Sequence, residues 1–456
     1  VRITFLGAAE TVTGSRFVVD TDRSRILVDC GLFQGVKRLR TQNWDPFPVD
    51  PSTIDAVVLT HAHVDHSGYL PALVRDGFAG EIWCTPSTGS LVEILLPDAA
   101  HLQEEDARYA NRHKSSRHRP ALPLFTRDDA DRALERLHPH PFEVDGEPVA
   151  GLRVRWSPAG HILGAASVLV DDGARSALFS GDLGRPDDLI MRAPAPAPAA
   201  DHVVVESTYG NRSHGDEDPG DVLADVITRT ARRGGTVLVP VFAVGRAQAM
   251  LHLLSTLRQQ GRIPDLPTFL NSPMAIDATE LFLASPDDHR LSPSQVRAMA
   301  DHVTFVRTVE ESIALTDRRG PMIVLSASGM LAGGRVLHHL RRVGPDHRST
   351  IVLAGFQAAG TRGEQLQRGA RSVRVFGEDV AIRADVVTLD SMSAHADADE
   401  VLAWLRTAPE APAAVSVVHG EASAADTLRF RIQDELGWPA TVPAQGEGAA
   451  VRPRPT

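Results

Sequence analysis

Thr60-His61-Ala62-His63-Val64-Asp65-His66-Ser67-Gly68 is the stretch from which this chain is best read. Three imidazoles and a carboxylate fall between positions 61 and 66, entered directly from the apolar run Ala56-Val57-Val58-Leu59. Left unpaired in a packed core, such a cluster would be costly to bury. Imidazole and carboxylate are suitable ligands for zinc or a similar divalent ion. In irregular backbone after a strand, His61 and His63 can reach one ion while Asp65 and His66 turn toward a second. The stretch therefore predicts a two-metal site on a loop that leaves a strand.

HxHxDH after an apolar strand resembles the signature of the metallo-β-lactamase superfamily. Upstream, residues 1–6, 16–20 and 25–28 read as short strands of a meander that ends at Asp29-Cys30-Gly31. The resemblance implies that Asp29 props the metal loop by hydrogen bonding; a plain turn residue is the alternative. Downstream, 69–75 looks helical and 81–84 returns as a strand. Residues 91–119 read as a polar helix closing on the basic run 108–119, either a solvated face or a phosphate-contacting rim. A strand at 154–156 leads into Ala159-Gly160-His161, and Ala177-Leu178-Phe179 leads into Ser180-Gly181-Asp182. A histidine or aspartate after a strand is usually a turn residue. In this order after HxHxDH, His161 completes the first ion's shell and Asp182 bridges the two ions.

A chain of 456 residues exceeds the usual size of a single core, so two domains are expected. Hydrophobic content of 43% and charged content of 23% are those of an ordinary globular protein. No apolar run is long enough to span a bilayer, and the opening residues read as a strand rather than a signal peptide, so a cytoplasmic location without membrane association is expected. Cys30 and Cys84 cannot form a disulfide framework and are read as reduced and structural. A formal net charge of −11 argues mildly against non-specific polyanion binding, although bound metals and local basic patches outweigh the total.

Beyond the Pro/Ala spacer of residues 192–200 and the stretch Val203-Val204-Val205-Glu206-Ser207-Thr208-Tyr209-Gly210, the rhythm becomes strand, glycine turn, helix. Strands at 237–241, 268–270, 322–325 and 351–354 each lead into a helix or a glycine-rich loop. That alternation predicts a parallel, Rossmann-like layer inserted into the first domain. The loops Phe242-Ala243-Val244-Gly245-Arg246, Ser326-Ala327-Ser328-Gly329-Met330 and Gly355-Phe356-Gln357-Ala358-Ala359-Gly360-Thr361-Arg362-Gly363 all follow strands, where parallel sheets bind ligands. Arg246 and Arg362 are candidate phosphate clamps, with surface salt bridges as the alternative; Ser328, Gly329 and Ser393 are further candidate substrate contacts. A strand at 386–389, the stretch Ser393-Ala394-His395-Ala396-Asp397, a helix at 400–406 and a strand at 415–418 ending in His419-Gly420-Glu421 return the chain to the first fold. His419 can finish the second shell. The candidate ligand sets are His61, His63, His161 and Asp182 on one ion, and Asp65, His66, Asp182 and His419 on the other.

Glu206-Ser207-Thr208-Tyr209-Gly210, the insert loops, Ser393-Ala394-His395-Ala396-Asp397 and Val418-His419-Gly420-Glu421 together resemble the β-CASP branch of the superfamily. They are most similar to its bacterial ribonucleases related to the endonuclease subunit of the cleavage and polyadenylation specificity factor. The resemblance implies an α/β fold: a metallo-β-lactamase αββα sandwich over residues 1–207 and 383–456, with a β-CASP domain inserted at 208–382. It makes Glu206 the first acidic motif, His395 the second and His419 the third. It implies a hydrolase acting on single-stranded RNA with two Zn2+ ions, or Mn2+ in their place, in RNA processing or decay, and it is compatible with a homodimer. In that scheme Asp65 or Asp182 accepts the proton of the attacking water. His395 is the general acid, its pKa raised by the Glu206 carboxylate. Endonucleolytic cleavage is expected. The alternatives are a binuclear hydrolase of a small ester or phosphodiester, and a non-catalytic RNA-binding subunit. Asn271 stands where many relatives carry aspartate, and Ala249 where glutamate is frequent; neither is a ligand.

Overall fold

The structure is a computed structural model that describes residues 1–114, 118–215, 217–355, 357–358 and 360–454. The chain divides into two compact units. The first comprises Val1–Pro186, Arg192–Ser213 and His395–Thr456; the second comprises Asp187–Met191 and His214–Ala394.

The first unit is built on two seven-stranded sheets. In one, the antiparallel meander Arg2–Phe5, Phe17–Asp20, Arg25–Val28 passes into the parallel strands Ala56–Val58 and Glu81–Cys84. In the other, Leu152–Pro158, Ala166–Asp171 and Ser176–Phe179 pair antiparallel, and His202–Glu206 and Ala414–Val418 join in parallel. Alternation along these strands sends Ile3, Phe5, Phe17, Val19, Ile26 and Val28 from one sheet against Val154, Trp156, Val168, Val170 and Phe179 from the other in one buried core. On the far face of the second sheet, Val203, Val205, Val415 and Val417 meet Val401, Leu402, Leu405, Ala425 and Leu428 of the helices Ala398–Leu405 and Ala422–Arg431. This is the αββα sandwich.

The topology decides where polar residues can gather. Leu152–Pro158, Ser176–Phe179, His202–Glu206 and Ala414–Val418 all run in one direction, so the loops after their carboxyl ends share one edge of the sandwich. The segments carrying His161, Asp182, Glu206 and His419 leave from those ends.

The second unit carries a six-stranded, wholly parallel sheet in the order Val303–Phe305, Thr268–Leu270, Met322–Ser326, Thr236–Pro240, Thr350–Ala354, Asp385–Leu389. Its buried strands read as near-continuous apolar runs because both faces are covered. The strand Asp385–Leu389 pairs along its whole length with Thr350–Ala354, and this compact unit runs to Ala394. The long polar helix spans Pro86–His113, opening earlier than residue 91 because Thr85 caps it and Pro86 starts it. Of the basic run, Arg108 pairs with Glu104 and Glu105, while Ser115, Ser116 and Arg117 lie outside the described residues, as do Phe356 and Ala359 of the glycine-rich loop. Among the described residues, no helix is long and apolar enough to cross a membrane.

Candidate metal centre

The HxHxDH loop is held from below by Asp29, which takes a left-handed backbone conformation at φ 58° at the end of its strand. Its carboxylate accepts from the Thr60 amide (2.8 Å) and hydroxyl (2.8 Å) and lies 2.8 Å from His66 Nδ1. Gly31 follows because a Cβ there would run into the main-chain oxygen of Asp65.

One donor atom each from His61, His63, His161 and Asp182 lies within 4.8 Å of the others, and a second such group joins Asp65, His66 and His419. In the first group His63 Nδ1 is 3.1 Å from His61 Nε2 and 3.2 Å from His161 Nε2, and Asp182 Oδ2 is 3.4 Å and 3.5 Å from those two nitrogens. A tetrahedron of donors at zinc bonding distance has edges of about 3.3 Å, so this spacing fits an ion. In the second group His419 Nε2 is 3.3 Å from His66 Nε2 and 3.4 Å from Asp65 Oδ2. Asp182 reaches both groups: its Oδ1, 3.3 Å from His66 Nε2, is buried and makes no hydrogen bond among the described residues. A buried carboxylate oxygen left in this way calls for a cation.

Protonation supports the same fit. Burial, reinforced by the charge on His66, pushes the His61 imidazole down to about 3; burial takes His63 to about 4; and burial together with His395 holds His161 well below its ordinary value. All three are neutral at pH 7, with a lone pair free for an ion. Burial works against charge on His66 as well, but Asp182 and Asp29 outweigh it and hold that ring well above its ordinary value. The carboxylates facing it demand positive charge, from a proton or a metal.

Beside these groups stands a second couple. His395 Nδ1 is 3.2 Å from each oxygen of Glu206, whose Oε1 also accepts from the Leu183 amide at 2.6 Å. Burial opposes charge on His395, but Glu206 prevails and raises it to about 8. The ring is an imidazolium at neutral pH with one N–H committed to the carboxylate. Glu206 is 1% exposed, while the His395 side chain retains 17% of its surface, so only the histidine reaches outward.

The second unit's candidate contacts are differently placed. Arg246 is buried, donates to the Met392 carbonyl and lies 3.9 Å from Asp188. Arg362 donates to the carbonyls of Arg374 (2.6 Å), Leu331 (2.9 Å) and Ala332 (3.1 Å). The Ser328 hydroxyl accepts from the Ala332 amide, Gly329 packs where a Cβ would meet Phe242, and Ser393 is buried. Asn271 is fully buried, donating to the Ser312 hydroxyl and accepting from Arg335.

Three residues given no role from sequence belong to the centre: Thr60, Thr208 and Ser15, whose hydroxyl is 3.3 Å from His66 Nε2. Thr60 and Thr208 lie inside the motifs themselves, next to His61 and two residues after Glu206. That position was their only signal.

Three family models match the chain: the metallo-beta-lactamase superfamily over residues 12–224, the Beta-Casp domain over 247–366 and the Zn-dependent metallo-hydrolase RNA specificity domain over 379–443. The chain is 38% identical over 432 residues to Ribonuclease TTHA0252 of Thermus thermophilus, covering 92% of this chain and 93% of that protein. It is 28% identical to transcription termination factor FttA of Methanocaldococcus jannaschii, covering 94% and 69%, and 27% identical to an RNase J-like protein of the same organism, covering 98% and 99%. A crystal structure of a protein of unknown function from Enterococcus faecalis V583 shares the fold, with a TM-score of 0.52 at 12% identity over 98% of this chain and 99% of that one. With its motifs in this order and relatives of this likeness along its length, the chain belongs to the β-CASP branch of the metallo-β-lactamase superfamily.

Proposed function

We propose that this chain is a two-metal ribonuclease that hydrolyses internal phosphodiester bonds of single-stranded RNA, acting in the cytoplasm in RNA processing or decay. The observation that carries the reading is the sharing of Asp182 between two donor groups with the Glu206–His395 couple alongside. The RNA substrate is supported by the RNA specificity domain that matches residues 379–443 and by the relatives named as a ribonuclease and a transcription termination factor.

His61, His63, His161 and Asp182 would hold the first ion, and Asp65, His66, His419 and Asp182 the second. When bound, such an ion pair activates a water, orients the scissile phosphate and offsets charge developing on phosphorus; zinc suits the imidazole-rich set and manganese is the alternative. Asp65 or Asp182 takes the proton that the attacking water loses. Glu206 grips His395 at Nδ1, which leaves the Nε2 proton of the imidazolium for the departing oxygen. A group raised to about 8 is protonated at neutral pH and still acidic enough to give up its proton.

The test is cleavage of single-stranded RNA labelled at its 5′ end, using zinc-loaded wild type and a metal-matched His395→Ala variant. Internal fragments from wild type, formed about 100-fold or more slowly by the variant, are the expected result. Labelled mononucleotides alone would overturn the endonucleolytic part of the reading. No cleavage by fully metallated wild type would favour a small-substrate hydrolase or a non-catalytic RNA-binding subunit.

A further inference from the structure

Thr208 sits between the Glu206 carboxylate and the His419 imidazole and is 7% exposed. Its hydroxyl oxygen lies 2.5 Å from Glu206 Oε2, 3.2 Å from the His419 carbonyl oxygen and 3.1 Å from His419 Nδ1. A hydroxyl has one hydrogen and can accept in two directions. A carboxylate and a carbonyl only accept, so one of them takes that hydrogen, and the charged, nearer Glu206 is the stronger claimant. None is left for His419. The contact at Nδ1 is therefore a hydrogen bond only if the ring carries its hydrogen there and Thr208 accepts. A neutral imidazole protonated at Nδ1 has its lone pair on Nε2, the atom that faces His66 Nε2 at 3.3 Å and Asp65 Oδ2 at 3.4 Å. Asp182 Oδ1 also lies near Nδ1, at 3.5 Å, and that oxygen makes no hydrogen bond among the described residues.

The same arrangement occurs at the first group. The Thr60 hydroxyl donates to Asp29 Oδ2 at 2.8 Å and stands 3.1 Å from His61 Nδ1, while His61 Nε2 turns to His63 and Asp182. Each donor group thus contains a histidine whose outer nitrogen meets a threonine hydroxyl already committed to a buried carboxylate.

We propose that Thr208 is a positioning residue that fixes the Nδ1–H tautomer of His419 and so aims its Nε2 at the second ion, tying the Glu206–His395 couple to that ion's site through one hydroxyl. The inference rests on the two-metal reading. Partners that orient a metal-binding histidine are worth about 10–100-fold in metal affinity.

The experiment is a competition titration of the full chain with Zn2+ and a chromophoric chelator, on wild type, Thr208→Val and Thr208→Ser. Histidine side-chain 15N spectra of zinc-loaded wild type accompany it. Wild type should bind two ions, Thr208→Val should hold one of them about tenfold or more weakly, and Thr208→Ser should stay within about threefold of wild type. His419 should be protonated at Nδ1 and metal-bound at Nε2, a readout that needs no variant should Thr208→Val not fold. Equal affinity in Thr208→Val, equal loss in Thr208→Ser, or a proton on His419 Nε2 would overturn the proposal. Wild type binding fewer than two ions would instead bring down the two-metal reading on which it rests.

Discussion

Both units gather polar residues at the carboxyl ends of strands, but they use them in opposite ways. In the first unit, His61, His161, Asp182 and His419 are almost fully buried, each of the three histidines has a ring nitrogen within 3.5 Å of Asp182, and Asp182 Oδ1 lacks a hydrogen-bond partner among the described residues. In the second, Arg246 and Arg362 lie at loops of the same kind; Arg246 donates to the Met392 carbonyl and faces Asp188, and Arg362 donates to the carbonyls of Arg374, Leu331 and Ala332. An array of acceptors and lone pairs facing each other is unstable without a cation. An arginine bridging carbonyls is already satisfied. The contrast separates strand-end donors that already have partners within the fold from a buried carboxylate oxygen that still calls for a cation.

That contrast can be broken most severely at His63. His63→Ala should lose metal and RNA cleavage together, whereas His395→Ala should keep its metal and lose rate; elemental analysis beside cleavage assays separates them, and equal metal loss in both would dissolve the distinction between ligand and acid. Arg246→Ala comes next. Removing a buried guanidinium beside Asp188 should cost about 3 kcal/mol of unfolding free energy in denaturant titration, with cleavage of a short RNA retained by the folded fraction. Arg362→Ala should be milder, about 1–2 kcal/mol, because its partners are carbonyls at a part-exposed surface. The phosphate-clamp role instead predicts weaker RNA binding and a flatter salt dependence in Arg362→Ala, so measuring both quantities decides between strut and clamp. The smallest expected effect is at the cysteines. Burial pushes both Cys30 and Cys84 up to about 12, so each remains a thiol as pH rises to 8, with roughly one part in ten thousand as thiolate. Neither should react with iodoacetamide in the native protein, and both should once it is unfolded; labelling under native conditions would show that these strands open.

Much of this was legible because the chemistry is concentrated. HxHxDH announces itself within six positions, and once it is seen, His161, Asp182 and His419 can be sought at later strand ends. The strand–helix alternation after Thr236 likewise foretells a parallel sheet. Hydroxyl partners were not legible. Thr60 and Thr208 look like ordinary β-favouring residues until the fold brings Asp29 and Glu206 against them. For Arg246 and Arg362 the sequence shows a guanidinium but not the carbonyls that some of its donors meet in the fold. The pairing of Asp385–Leu389 with Thr350–Ala354 was not legible either, because a strand's own residues do not say which sheet it joins.

The most direct test of the account is a crystal structure of the full chain grown with zinc, read through anomalous scattering at the zinc edge. Two peaks are expected, one bonded by His61 Nε2, His63 Nδ1 and His161 Nε2 and the other by Asp65, His66 Nε2 and His419 Nε2, with Asp182 contributing an oxygen to each. A single peak, or a second one away from Asp182, would contradict it.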